Sequence, residues 1–214
     1  MNDPSFQRRQ ATRGLEQLAH LVRAQSWRQD GTPSLPPTQS AVLSMLEGTA
    51  DGLRARQIAA RLGVSPASLS ESLKAMEGKR WIRRTPDPVD ARAARVRLTA
   101  AGSRMAAQLQ RSDRGMGPLV EALGEADLGA LLRVAQLLVN EAQEQGLATG
   151  LRTCLGCEFF RPFASGRRDA PHVCVFVDKP FGDAELRVDC AEQRPADDDI
   201  RRGSVLRFRQ QTPP

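Results

Sequence analysis

The chain has 214 residues, 40% hydrophobic and 4% aromatic, with no tyrosine and a net charge of +6. That composition suits one domain with an appendage and an aliphatic, helix-rich core. The opening "MNDPSFQRRQATRGLEQ" is polar and no apolar run approaches about 20 residues, so a secretory leader and a membrane span are not expected, and a soluble cytoplasmic protein is.

The elements follow in chain order. "GLEQLAHLVRAQSW" spaces Leu15, Leu18, Leu21, Val22 and Gln25 as an amphipathic helix, and "GTPSLPP" (31–37) breaks it. "TQSAVLSMLEG" predicts a helix capped by Thr38 and ended by Gly48. "RARQIAARLG" predicts a short helix with Ile58, Ala59 and Leu62 inward and Gly63 as its stop. In "VSPASLSESLKAMEGKRW", Ser65 caps and Pro66 opens a helix. Its apolar face is Leu69, Leu73 and Met76, and the opposite face carries Ala67, Ser70, Glu71 and Lys74. These are small or polar side chains that let a helix approach a groove.

The period then changes. Trp81-Ile82 and "ARVRLT" are strand-like, with Val96 and Leu98 alternating against Arg95 and Arg97, and "TPDPVDAR" between them is a turn. Helix, turn, helix and a basic two-stranded hairpin make the plan of a winged helix-turn-helix. From Leu53 to Thr99 eleven basic residues stand against four acidic ones, a net +7. Such density is the footprint of a polyanion partner. By charge alone, a solvated Arg-rich surface is an equal reading.

"AAGSRMAAQLQRS" is helical and "DRGMGPL" interrupts it. "GEADLGALLRVAQLLVNEAQEQG" follows, its stripe of Leu128, Leu131, Leu132, Ala135, Leu138 and Val139 broader than one small domain needs. With the first helix it is a candidate homodimer seam; packing within one chain is the alternative. After Gly150 long helical patterns stop. The reading is a DNA-binding and dimerisation domain over 1–150, a cysteine-rich segment over 151–194 and a disordered tail over 195–214.

Two runs, "QIAARLGVSPASLSESLKAMEGKRWIRR" and "DPVDARAARVRLTAAG", carry a resemblance to the MarR family of regulators over about residues 10 to 146. The string Asp90, Arg92, Val96, Leu98, Thr99, Gly102 is similar to that family's wing and following helix; the glycine before the wing is displaced in "MEGKRWIRR". The resemblance implies a mainly α fold with a small β-hairpin wing. It also implies a homodimer joined by N- and C-terminal helices, binding to pseudo-palindromic double-stranded operators, and usually repression. A small aromatic effector is often bound between seam and winged helix. The helix start at Ser65 would offer N–H groups to a phosphate. Ala67, Ser70, Glu71 and Lys74 would face base edges, with Ser68 on the flank. Arg92 would enter the minor groove, Asp90 would orient it, and Arg95 and Arg97 would meet phosphates. The plainer reading of Ser68, Arg95 and Arg97 is a solvated surface.

Cys154, Cys157, Cys174 and Cys190 are spaced C-x2-C-x16-C-x15-C, and four thiolates complete a tetrahedral shell. In a reducing cytosol that points to a metal or redox site rather than a disulfide framework. Zinc sites commonly use two CxxC pairs, and only one is present. Single cysteines from separate loops suit the spaced corners of a 4Fe-4S iron–sulfur cluster. The spacing and the aromatics after the CxxC are similar to those of high-potential iron–sulfur proteins. Phe159, Phe160, Phe163, Phe176 and Phe181 would wall such a cluster from water, or form a mini-core. A metal-free thiol switch at Cys154 and Cys157 is the third reading. The iron–sulfur cluster is preferred, with zinc as the alternative. His172 is expected beside the site rather than as a ligand, and His20 on a helix face.

The leading function is a sequence-specific DNA-binding repressor whose four-cysteine site senses redox state, oxygen or metal. A zinc-stapled regulator answering an aromatic effector, an iron–sulfur electron-transfer protein or enzyme, and a winged helix used for protein assembly are the alternatives. With no nucleophile–base constellation, no Gly-rich phosphate loop and two histidines, an enzyme is not expected.

Overall fold

The computed structural model describes residues 3–27, 35–90, 92–110 and 117–210. The breaks expected over 31–37 and 113–119 lie partly outside them, as do Gln25's side chain and the last four residues. Contacts divide the chain into two compact units, residues 1–55 with 66–122 and residues 56–65 with 123–214, rather than at Gly150.

In the first unit α1 (Pro4–Trp27) is followed by α2 (Pro37–Glu47). Proline, not Thr38, opens α2: Pro36 is its cap and Pro37 takes the first turn, where a missing N–H costs nothing. β1 (Leu53–Arg54), α4 (Pro66–Gly78), β2 (Ile82–Pro86), β3 (Ala94–Leu98), α5 (Ala100–Gln110) and the short α6 (Gly117–Glu121) complete it. β3 is the central strand of an antiparallel sheet, order β1-β3-β2, with Ile82 opposite Leu98, Pro86 opposite Ala94 and Leu53 opposite Val96. α2 packs on α4, α5 and β3. The core is Val42, Leu43 and Leu46 from α2, Leu69, Leu73 and Met76 from α4, and Ile82 and Val96 from the wing. Leu69, Leu73 and Met76 are the apolar face the periodicity predicts for α4.

Two features fix how the wing leaves α4. Arg80 has φ +56, the left-handed position that usually belongs to glycine. The Arg80 N–H donates to the Glu77 carbonyl and the Trp81 N–H to the Met76 carbonyl, 2.9 and 3.0 Å, so the displaced glycine is replaced by a strained arginine. The Thr99 hydroxyl donates to the Arg80 carbonyl at 2.6 Å and accepts the Gly102 N–H at 3.1 Å. A Cβ on Gly102 would lie 1.9 Å from the Trp81 carbonyl oxygen, so the T-x-x-G spacing has a steric cause.

The second unit holds α3 (Ala55–Leu62), which shares its first residue with the first unit, and α7 (Glu125–Glu144). Beyond α7 come β4 (Phe160–Arg161), β5 (His172–Cys174), β6 (Lys179–Phe181) and a 3-10 turn (Asp183–Glu185). The strands form a small antiparallel sheet, order β4-β5-β6. Its core gathers Leu155, Cys157, Phe160, Leu186 and Phe208, with Leu132 and Leu137 of α7 packed against it. This realises the mini-core around Phe160, while Phe176 stays 47% exposed.

The tail corrects the expectation of disorder over 195–214: Asp198–Gln210 is a helix, α8. Asp197 accepts the Ile200 N–H at 2.8 Å as an N-cap. Asp198 and Asp199 sit in the first turn and Arg207 and Arg209 in the last, complementing the helix dipole. Arg201, Ser204, Val205 and Phe208 make the sheltered face at helical spacing, and Phe208 is fully buried. Arg201 pairs with Glu144 and Arg209 with Glu141, tying α8 to α7. The charge-rich surface hid a four-residue inward stripe. Among the described residues no helix is long and apolar enough to cross a membrane.

Candidate nucleic-acid interface and four-cysteine site

α4 turns Leu69, Leu73 and Met76 inward, and the same pitch leaves Ser65, Ala67, Ser68, Ser70, Glu71 and Lys74 exposed. The six residues assigned to DNA, Ser65 just before this helix and the other five on it, are therefore solvent-exposed. The wing is organised by an acid that the sequence marks only as part of a turn. Asp87, 3% exposed, accepts N–H bonds from Val89 and Asp90 on Oδ1, at 2.9 and 3.1 Å. Its Oδ2 accepts the Nε–H of Arg54 and of Arg95, each at 2.8 Å. The Arg54 guanidinium beside it, with Arg95 and the two N–H donors, holds the Asp87 carboxyl far below the usual carboxylate range, against the opposing effect of burial. The clamp joins the tip to β1 and β3.

This sorts the predicted arginines. Arg95 is half-buried and engaged by Asp87, and Arg97 is half-buried with Nη2 3.5 Å from Asp51. Arg92 is exposed, and among the described residues no acid pairs with its guanidinium. Asp90 orients Arg92 through the backbone, its Oδ1 accepting the Arg92 N–H at 3.1 Å. Arg54 and Asp87 were missed as a pair; the signal was an Arg and an Asp at two ends of one three-stranded sheet, invisible without the register.

All four cysteines line one cavity of about 560 Å³ in the second unit, together with Phe159, Phe160, Phe176 and Phe181. None is in a disulfide. Cys154 and Cys157 come from the turn before β4, Cys174 ends β5, and Cys190 follows the 3-10 turn. Cys154 and Cys190 sit on paired segments: the Cys154 N–H donates to the Arg187 carbonyl at 3.0 Å and the Cys190 N–H to the Arg152 carbonyl at 2.9 Å. The Arg187 N–H donates back to the Cys154 sulfur at 3.3 Å. Gln136 of α7 spans the ladder, its Oε1 accepting the Leu155 N–H and its Nε2 donating to the Arg187 carbonyl, both at 2.9 Å. Burial pushes the Cys154 thiol up to about 11; the Arg187 N–H opposes this, and the other three sulfurs add to the rise. Among the described residues no three His, Cys, Asp or Glu side chains converge as the ligands of a single ion do.

Thr153, fully buried, also lines this cavity, and among the described residues its hydroxyl has no hydrogen-bond partner. A buried orphan donor is costly unless something in the cavity accepts it. The sequence signal, a hydroxyl beside a CxxC, is too common to have found it. His172 lies beside the site without lining it: it is buried, Nε2 meets Asp183 Oδ1 at 2.7 Å, and Nδ1 accepts the Phe163 N–H at 3.3 Å. His20 is exposed on α1.

A model of the MarR family matches residues 34–93, from the start of α2 to the wing tip. No curated protein matches the chain significantly. Among solved structures, the MarR family transcription regulator SP03579 is 25% identical, with a TM-score of 0.51, covering 67% of this chain and 93% of its own. The transcriptional regulator SlyA is 18% identical (TM-score 0.51; 64% and 94% covered). FabT of Streptococcus pneumoniae is 17% identical (TM-score 0.50; 65% and 99% covered). These neighbours share the fold over about two thirds of the chain. The family match and the wing geometry agree on one stretch: residues 34–93 are similar to the MarR family, and the β2–β3 hairpin forms where that family's wing is expected.

Proposed function

We propose that the protein is a sequence-specific DNA-binding transcriptional regulator of MarR type, a homodimeric repressor whose four-cysteine cavity holds a 4Fe-4S cluster and senses redox state, oxygen or metal supply. The observation that carries the DNA reading is the pairing, in one unit, of a polar exposed α4 face with a wing tip presenting an exposed Arg92. One similar structure, FabT, is a complex with DNA. Homodimerisation is supported by apolar side chains a single chain leaves in water. Leu15, Leu18 and Leu21 of α1 are 42–51% exposed, and Leu131, Val134 and Leu138 of α7 are 45–50% exposed.

For the cysteine site, zinc needs four sulfurs on one point about 2.3 Å away. The four cysteines line one cavity of about 560 Å³ together with phenylalanines, room for a group larger than a single ion, and the orphan Thr153 hydroxyl favours an acceptor inside it. Inorganic sulfide is such an acceptor. The Arg187 N–H to Cys154 sulfur bond is the kind that tunes a cluster's potential. A cluster supplies one-electron redox chemistry; the chain's residues hold it, shield it and donate hydrogen bonds to it.

Anaerobically purified full-length protein should contain iron and acid-labile sulfide in equal amounts and absorb in the visible blue. One zinc per chain with no colour replaces the cluster by the zinc staple. Arg92→Ala should weaken binding to the DNA preceding its own gene by about 10–100-fold at fixed salt, the scale of one well-placed groove contact. Unchanged affinity in a gel-shift titration removes Arg92 from the interface.

A further inference from the structure

The cysteine segment is joined to α3, the helix that precedes the exposed α4 by three residues. α3 has eight residues, too few to be stable by itself. Its C-terminal end is closed by Gly63 at φ +62, with the Val64 N–H donating to the Ala59 carbonyl at 3.1 Å. The 147–152 strap runs over this end. The Thr149 N–H donates to the Ala60 carbonyl at 2.9 Å. A Cβ on Gly63 would stand 2.6 Å from the Leu147 carbonyl oxygen, so only glycine admits the strap. The Arg61 side chain packs on Gly150, its Cγ 3.8 Å from where a Cβ would be.

The strap continues without interruption into the four-sulfur site. Arg152 donates its Nε–H to Asp189 at 2.6 Å, and the carbonyl of Arg152 accepts the Cys190 N–H. Asp189 precedes one cysteine, and Arg152 stands two residues before another. Burial lowers the pKa of the Arg61 guanidinium; the charge of Arg152 adds to this and that of Asp189 opposes it, while Nη1 of Arg61 is buried with no hydrogen-bond partner among the described residues. The partner of Arg152 is the Asp189 carboxylate. Its position is set by the ladder that carries Cys154 and Cys190.

We propose that α3 is the readout of the four-cysteine site: with the site assembled, Asp189 holds Arg152 and with it the strap, which clasps α3, and with the site dismantled the clasp opens and α3 is released. This rests on the cavity holding a metal cofactor, as set out above. A cofactor bound to Cys154 and Cys190 fixes the register of their two segments, and Asp189 with it. Without it, the small sheet has little core to hold that register. Arg152 then loses its counter-charge and the strap its anchor, and a short helix loses the contacts that keep it folded. The signal reaches α4 through the three-residue link, with no ligand needed at the DNA-facing surface.

The test is hydrogen–deuterium exchange by mass spectrometry on the full-length chain, anaerobic, loaded with its cofactor and after its removal, read on the peptide covering residues 55–65. Removal should speed exchange there by about tenfold or more, the change expected when a local unit loses its tertiary support. In Asp189→Asn, loaded protein should keep the wild-type iron content and visible absorption yet exchange over 55–65 like the stripped form. If Asp189→Asn does not load, Arg61→Ala, which removes the side chain packed on Gly150 and lies far in sequence from every cysteine, takes its place with the same expectation. Equal exchange in loaded and stripped wild type overturns the proposal while leaving the cofactor in place. So does wild-type protection in a loaded clasp variant. Absence of any bound metal after anaerobic purification and reconstitution overturns the cofactor reading itself, and the clasp mechanism with it.

Discussion

Replacing Phe208 by alanine tests whether the C-terminal helix is part of the fold or an ornament on it. Phe208 is fully buried. Its ring centroid lies 5.9 Å from Phe160, 6.2 Å from Phe163 and 5.6 Å from His172, and the Arg133 guanidinium sits 4.3 Å above it. Arg133 also donates to the Phe208 carbonyl, so the side chain and the backbone of one residue dock together. Removing the ring opens a cavity that these aromatic neighbours close only in part, which costs about 3–5 kcal/mol. The lost cation–π contact contributes about 0.5–2 kcal/mol of that. Phe208→Leu, which refills most of the volume, should cost about 1.5 kcal/mol or less. Urea unfolding followed by far-ultraviolet circular dichroism measures both. The alanine variant should also expose Cys157, now 8% exposed in the same cluster, to thiol reagents in protein stripped of metal. A loss below about 1 kcal/mol, the range of ordinary surface substitutions, would refute the docking of α8 against the sheet.

Other predictions concern the winged helix. Asp87 has its carboxyl pKa lowered in the fold, by Arg54 first. A depressed carboxylate contributes stability that is complete above its unfolded pKa and drains as pH falls towards the folded one. Asp87→Asn should therefore lower the urea midpoint by a constant amount above about pH 5, and the difference should shrink below about pH 4. A difference that does not change between about pH 7 and about pH 3 excludes the clamp as its source. Arg80→Gly relieves the left-handed strain at φ +56 and should raise stability by about 1 kcal/mol, read as a higher Tm, because the carbonyl that accepts from Thr99 is kept. A lower Tm would show that the Arg80 side chain, not its backbone, matters there.

Much of the first unit was legible because periodicity and steric punctuation agree in it. Leu69, Leu73 and Met76 face inward as their spacing requires, and Thr99 and Gly102 mark a cap and a close backbone approach. α8 was not legible for a reason of balance. Seven of the thirteen residues in "DDIRRGSVLRFRQ" are Asp, Arg or Gln, so composition reads as disorder. Of its apolar residues, Ile200 and Leu206 face water, and only Val205 and Phe208 turn inward. A helix held by one buried ring and two interhelical ion pairs leaves almost no periodic trace. The same holds for Thr153, whose significance lies in an unanswered hydroxyl, a property of three-dimensional packing alone.

The charge count points to a partner class by an indirect route. The excess of basic residues between Leu53 and Thr99 suggests a polyanion footprint, yet several of those charges are engaged within the unit. Arg54 and Arg95 are held by Asp87, Arg84 pairs with Glu77 at 3.0 Å, and Arg97 leans on Asp51. These pairs set the shape of the wing rather than its potential. Among the basic residues assigned to DNA contact, those left without a paired acid among the described residues are fewer: Lys74 on the exposed face of α4 and Arg92 at the wing tip. That placement separates two properties that a sum of charges merges. Residues committed to Asp87 govern whether the wing is formed, so their loss should reduce stability and DNA affinity together. Arg92 is held through its backbone, so its loss should reduce affinity and leave the fold unchanged. Arg61, counted in the same excess, belongs to neither group: its side chain packs on Gly150 of the strap. One basic segment thus divides into charges that build the wing, charges without a paired acid, and one that packs α3 against the strap.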